Sequence, residues 1–489
     1  MMEKNLHSLN EVIVGSAAPE VVALLARLKR EGRVRRLAAR LYTTNLTDAP
    51  EKIVRRNLWT IVGRLWPRSR LCYRTAFEYA PHEGHVFLGY KYTRKINLPG
   101  VILHFLATPQ SLETDYPFME GLGVSSYARA LVENLEPDRT QNGVEKCLRA
   151  ESIEERLEAE FSSGGEAALN KIRDDARLIS AATGMKAGFS RLDKMIGALL
   201  STRPADVLKS RVAQARAVGE PFDSARIELF ETLLARLSAR EFPYAPEECV
   251  TDADYSSFAF FESYFSNYIE GTEFELEEAR RIVETGVAIP TRDADSHDIL
   301  GTYAIASNRH EMSLTAGDAE EFLDILRTRH RVIMSGRPSC APGSFKTRDN
   351  RAGNTHFVSY DRVRGTLKRA FDMSRVLRHP FAKAVFFLFV TSEVHPFADG
   401  NGRLSRIMMN AELTAGGQTK IIVPTVFRPD YIGALRRLSR DGDPEVLVAA
   451  LERLRDYGKW LAHGDFDTLK HRLESSNAFS DDEGMILRF

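Results

Sequence analysis

Twelve consecutive residues, His395-Pro-Phe-Ala-Asp-Gly-Asn-Gly-Arg-Leu-Ser-Arg406, bring together one histidine, one carboxylate, one asparagine, two glycines and two arginines. That inventory suits the handling of a nucleotide's phosphates beside a general base. Gly400 and Gly402 let the backbone approach an anion with its N–H groups turned inward, where a side chain would stand in the way. Asp399 is a hard oxygen ligand of the kind that shares Mg²⁺ with phosphates. Arg403 and Arg406, three apart on a helix, are neighbours that can clamp different phosphate oxygens. His395, with a reference pKa of about 6.5, is largely neutral at pH 7 and able to take a hydroxyl proton.

These groups need elements to hold them. Leu404, Ile407, Met408 and Ala411 follow the spacing of one helix face, which predicts a helix starting near Gly402 with that face buried. A helix N-terminus behind a glycine-bearing loop is a ready anion site. A nearby copy of the first three residues, His379-Pro-Phe381, leads instead into the apolar run Ala384–Val390 and lacks glycines and arginines, so it reads as a helix entry. Upstream, in Ser266-Asn-Tyr-Ile-Glu-Gly271, Ser266 and Glu270 are four apart and share a helix face, with Gly271 as a natural C-terminal cap. From Pro342 to Val358 the Pro, Gly and Asn content, with alternating Thr, Phe and Val near its end, predicts an exposed hairpin loop.

At His395 to Arg406 the chain resembles the Fic family, whose motif His-x-Phe-x-Asp/Glu-Gly-Asn-Gly-Arg-x-x-Arg is met at all eight specified positions. The resemblance implies transfer of AMP from Mg-ATP to a hydroxyl side chain (Ser, Thr or Tyr) of a target protein. It makes His395 the base and Asp399 the Mg²⁺ ligand. Gly400, Asn401 and Gly402 become the cradle for the α- and β-phosphates, with Arg403 and Arg406 on the outer phosphates. The segment Ser266 to Gly271 resembles the family's inhibitory motif, which implies that Glu270 pairs with Arg406 and blocks seating of the γ-phosphate. The stretch with Asn354, Thr355, His356, Phe357 and Val358 resembles the flap that holds the target segment by strand addition. Some relatives move UMP or phosphocholine, and a phosphotransferase branch lacks the Gly-Asn-Gly-Arg pattern; agreement with that pattern points to AMP.

The remainder of the chain supplies the frame. Its 489 residues, 43% hydrophobic and 27% charged with zero formal charge, describe a globular protein of several domains. Charge is unevenly spread: Leu24 to Arg74 has 14 Lys/Arg against 3 Asp/Glu, and Glu247 to Ala279 has ten acidic residues and no Lys or Arg. The absence of an 18-residue apolar run, and of a signal pattern at Met1-Met-Glu-Lys-Asn, predicts a cytoplasmic protein without a membrane partner. Cys72, Cys147, Cys249 and Cys340 are widely scattered and read as thiols.

Residues 20–31, 34–41 and 50–65 read as short helices carrying many arginines, followed by strands at His85–Tyr90 and Arg94–Leu106 with Pro99-Gly100 turning between them. This is the look of a winged helix-turn-helix. Over Arg33–Thr44 and Cys72-Tyr-Arg-Thr-Ala76 it loosely resembles the N-terminal module of AbiEi-type antitoxins, which implies DNA binding. Val124–Leu135, Glu151–Phe161, Gly164–Ile179, Phe189–Leu200 and Asp223–Leu237 have helical periodicity. The expected fold is mostly α. It comprises a winged-helix-like α+β module (1–75), a β-rich extension (76–150), a helical spacer (151–245) and a helical Fic domain with a small β-hairpin flap (246–489), whose inhibitory helix covers about 258–271. Two functions compete: an adenylyltransferase restrained by Glu270, and a DNA-binding regulator whose Fic core senses nucleotide or modifies itself. A second copy of the chain is a further partner left open.

Overall fold

Apolar residues three and four apart dominate the second half of the sequence, and a computed structural model shows helices there. It describes residues 10–16, 18–109, 111–137, 144–248, 251–461, 464–482 and 484–489; Cys249 lies outside these, and Cys72, Cys147 and Cys340 are free thiols. The chain divides into two compact units, Met1–Val218 and Gly219–Phe489.

In the second unit, helices Pro380–Val394 and Asn401–Ala415 pack against each other and are buried on nearly every side. A helix apolar all round belongs in the middle of a core, and here that core is rich in phenylalanine, with Phe381, Phe386 and Phe389 almost fully buried. His379 caps the first of these helices, its ring accepting the Phe381 N–H at 3.2 Å, so His379-Pro-Phe381 is indeed a helix entry. Helix Asp252–Ile269 starts with a capping box between Thr251 and Asp254 and buries Phe258, Phe261 and Phe265. Ser224–Ser238, counted with the spacer from sequence, belongs to this unit. The hairpin pairs Arg351↔His356 and Ala352↔Thr355. Helices Arg428–Asp441 and Glu445–Leu461 follow the motif.

The first unit departs from expectation at residues 34–41. These form strands Arg35–Ala38 and Leu41–Thr43 instead of a helix, and the latter pairs with Val12–Val14 on its other side. Val34, Leu37, Ala38 and Leu41 fit a helix face and a tight hairpin equally well; the turn at Arg40, whose φ is 59°, and the third strand decide for the hairpin. Among the described residues, Pro19–Arg30 is therefore followed by a hairpin, and the second helix of the expected helix-turn-helix is not built by residues 34–41. Residues 50–65 form two helices, Pro50–Arg56 and Leu58–Leu65, parted where Asn57 turns its side chain back to the Ile53 carbonyl.

Six short strands make the second sheet, in which His85–Tyr90 runs parallel to Val101–Ala107 and Arg94–Leu98 turns back at Pro99-Gly100. Residues 151–179 form two helical stretches within Ala150–Thr183, as the periodicity predicts, parted at Gly165, whose dihedrals (φ 62°, ψ −159°) are not helical. No helix among the described residues is long and apolar enough to cross a membrane.

Candidate active site

Helix Pro380–Val394 ends at His395, which adopts a left-handed conformation (φ 51°, ψ 60°) and donates its N–H to Thr391. The next helix begins at Asn401, capped by Gly400 at φ 75°. A Cβ on Gly400 would overlap the Met334 sulfur, so the turn needs glycine for space as well as conformation. Between the helices the loop is held from inside. The Asn401 side chain accepts the Phe397 N–H and donates to the Phe397 carbonyl, both at 2.9 Å, and Asn350 reaches the same carbonyl. Asn401 therefore shapes the cradle through its amide.

His330 completes this scaffold, and no motif marked it. Its Nδ1 accepts the Gly343 N–H at 2.9 Å, so Nε2 carries the proton and donates to the Asp399 carbonyl at 2.9 Å, while the ring stacks on Phe397 at 3.7 Å. Burial pulls its pKa down to about 4, which keeps it neutral. Asp399 itself faces solvent, with Oδ1 accepting the Gly400 N–H at 2.7 Å. Among the described residues no cluster of three or more His, Cys, Asp or Glu is arranged to hold a metal.

His395 is desolvated too, and burial brings its pKa to about 4. Its Nδ1 lies 3.3 Å from the Ser392 carbonyl, which fixes the proton on Nδ1 and leaves Nε2 as the acceptor. Phe357 stacks on the imidazole at 3.8 Å and 7°. Of the other flap residues, Asn354 lies in the hairpin turn, Thr355 and His356 form its second strand, and Val358 is fully buried as its anchor. Arg226 donates to the His356 carbonyl at 2.6 Å and Arg440 to the Thr355 hydroxyl at 3.3 Å.

The two motif arginines part company. Arg403 is buried and ion-paired with Asp298 at 2.7 Å, with Asn267 Oδ1 at 3.3 Å. Asp298 also takes a bidentate contact from Arg337. Arg403 thus ties the motif helix to its neighbours. Arg406 meets the other segment of interest: Nε donates to Ser266 Oγ at 2.9 Å, and one terminal nitrogen reaches the Ser266 carbonyl at 2.8 Å and Glu270 Oε1 at 2.7 Å. Gly271 follows at φ 87°. A Cβ on Gly402 would overlap Glu270 Oε1, so the carboxylate rests directly on the cradle. Glu262 fixes the same helix from within, binding Lys420 at 2.7 Å and Asn410 at 2.8 Å. A cavity of about 250 Å³ unites these groups, lined by Glu270, Phe357, His395, Gly402, Arg406 and the buried Tyr431.

Residues 321–413 match the sequence profile of the Fic/DOC family. The chain carries a Fic/DOC domain. It is 25% identical over 223 residues to protein adenylyltransferase fic-1 of Caenorhabditis elegans, covering 45% of this chain and 42% of that one. It is 30% identical over 196 residues to protein adenylyltransferase Fic of Drosophila persimilis, covering 37% and 36%. The chain thus spans about two fifths of the length of the curated relatives it matches. A solved Caenorhabditis elegans Fic-1 structure covers 66% of this chain and 93% of its own at 18% identity, with a TM-score of 0.37. Sequence singled out His395, Asp399, Gly400, Asn401, Gly402, Arg403 and Arg406 within the matched residues, and Ser266, Glu270 and Gly271 before them. His330, Asn350, Asp298 and Tyr431 act through contacts to distant elements and left no local pattern.

Proposed function

We propose that the chain is a protein adenylyltransferase that moves AMP from ATP to a hydroxyl side chain of a target protein and is restrained by Glu270. The observation that carries this reading is the Glu270 carboxylate hydrogen-bonded to Arg406 above Gly402, in the same cavity as His395. A carboxylate held by a guanidinium on a helix N-terminus stands where a phosphate would be favoured. The α- and β-phosphates of ATP are assigned to the cradle that Gly400, Asn401 and Gly402 form at the helix start, and the outer phosphate to Arg406, which Glu270 must vacate. Arg403, committed to Asp298, holds the helix that presents them. Asp399 would hold Mg²⁺, which neutralises phosphate charge when bound.

In the chemical step His395 Nε2 takes the proton of the target hydroxyl. The oxygen then bonds to the α-phosphorus, the bond to the bridging oxygen breaks, and pyrophosphate leaves with the electron pair. The flap is assigned to the target: its outer strand offers backbone for strand addition, and Phe357 must yield its place over His395 as the hydroxyl enters. The test is transfer of label from α-labelled ATP to the chain itself or to proteins of a lysate, by wild type and Glu270→Gly. Equal labelling under the same Mg-ATP conditions would reduce Glu270 to one more carboxylate in an acidic stretch.

A second reading, a DNA-binding regulator whose Fic core acts on itself, is favoured by the exposed Lys29, Arg30, Arg33 and Arg36 on Pro19–Arg30 and the hairpin after it. Arg35, by contrast, is spent on the Asn45 and Asp48 carbonyls. Duplex binding that weakens steeply with salt, and that reversal of Arg30, Arg33 and Arg36 weakens for all sequences, is its signature.

A further inference from the structure

We propose that Glu393 reads the base of the bound nucleotide and selects the 6-amino edge of adenine. This rests on the nucleotide-transfer reading above and names the donor that the site prefers. Glu393 sits on the last turn of Pro380–Val394, two residues before His395, and lines the same cavity.

Helix Arg428–Asp441 gives the cavity a direction. Tyr431 at its start lines the Arg406 end, and Ser439, eight residues on and so about 12 Å further along the axis, donates its hydroxyl to Glu393 Oε1 at 3.0 Å. Ile432 and Leu435 lie between them along the helix and line the cavity together with Ala352 of the flap hairpin. A molecule whose phosphates meet Arg406 and Gly402 therefore has an aliphatic slot for a flat ring and a carboxylate at its far end.

That carboxylate is built to accept a neutral donor. It is only 4% exposed, and Arg226 at 2.9 Å balances its charge, so no further cation is required there. Ser439 and the closest approach of Arg226 both fall on Oε1, which leaves Oε2 for a ligand. Arg226 also grips the flap through the His356 carbonyl, fixing the position of the acceptor. An exocyclic amine supplies the N–H that such an acceptor needs. A 6-oxo purine or a uracil O4 would set lone pairs against the carboxylate and leave both sides unpaired.

The competing role for Glu393 is an anchor for the flap through Arg226, which would act alike on every nucleotide. Isothermal titration of the full-length Glu270→Gly chain with Mg-ATP and Mg-ITP, which share the purine frame and differ at the 6-position, separates the two. ATP is expected to bind about 10- to 100-fold more tightly, the range for a hydrogen bond to a charged group. In Glu393→Gln, whose amide both donates and accepts, that ratio should shrink toward unity while the ITP affinity holds or rises. Equal affinity of the Glu270→Gly chain for ATP and ITP overturns the proposal without any change at position 393. An unchanged ratio in Glu393→Gln, or equal weakening for both nucleotides, overturns it in favour of the anchor. If neither nucleotide binds, the adenylyl-transfer reading falls along with it.

Discussion

Each unit of this chain buries an arginine against a glutamate, and the two arrangements differ in what surrounds the carboxylate. In the first unit Glu133 is fully buried and saturated: it accepts from Arg70 at 2.9 Å, Arg129 at 3.0 Å, Ser125 at 2.8 Å and the Tyr73 N–H at 3.1 Å. Asp115 closes the set on Arg129 at 2.6 Å. In the second unit Arg406 is equally buried, but its Glu270 partner is 34% exposed at the mouth of a cavity. A saturated cluster has no use for a ligand. A half-open one exchanges its carboxylate for another anion at modest cost, because the exposed partner regains water as it leaves. Enclosure of the acid, more than burial of the arginine, separates a fastener from a switch.

The comparison can be broken by experiment, and the largest effect should come from the chemistry of the open cluster. In the Glu270→Gly background, His395→Ala should retain ATP binding and lower labelling by roughly 10²–10⁴-fold; labelling at the undiminished rate would remove His395 from the mechanism. Next, Glu133→Ala leaves two buried guanidiniums short of a partner and should cost about 3–5 kcal/mol of first-unit stability in urea unfolding. Nucleotide should not restore that loss, and restoration would mean the closed cluster is itself a ligand site.

Glu270→Gly should instead cost only about 1 kcal/mol, with ATP stabilising this variant more than wild type, since ligand and carboxylate compete for one guanidinium. Its labelling rate should rise by about 10²-fold, the scale of a misplaced reacting group being corrected, and adding Arg406→Ala should remove the gain.

The smallest effect concerns pH. With a pKa near 4 in place of the ordinary 6.5, His395 stays deprotonated in the free protein well below neutrality. kcat/KM governed by this group should therefore be level from pH 8 to about 5 and fall only as pH drops through about 4. A half-loss at pH 6.5 would show an imidazole in water. Stability carries the same sign: unfolded His330 and His395 bind protons at a higher pH than the folded forms, so their contribution is intact above pH 6.5 and is lost as pH falls toward 4.

How much of this was legible in the sequence depended on the range of each interaction. The motif helix was readable because Leu404, Ile407, Met408 and Ala411 declare one face and the glycines mark its start. Ser266 and Glu270 could be assigned to one face by spacing alone, although their meeting with Arg406 needed the resemblance. The orientation of Arg403 was not readable, because residues three apart on a helix share a neighbourhood and not a partner. Asp298, on another helix, decided it. His330 is one histidine in an amphipathic helix, and only the fold brings Gly343 and Asp399 to its two nitrogens. Residues 34–41 misled because helix and hairpin periodicities coincide over so short a span, and pairing with Val12–Val14 settled the matter.

The hold of Glu262 on Lys420 and Asn410 limits how the proposed restraint by Glu270 could be released. A helix fastened to the core by a buried charge and three phenylalanines is not a detachable plug, so clipping or deleting it would unfold the domain before it freed the site. The moving part shrinks to the last turn and the glutamate on it. Release then takes a rotamer change within nanoseconds to microseconds in place of an unfolding event. Any activator, whether nucleotide, partner or second copy, shifts it only as far as its affinities for the two glutamate positions differ.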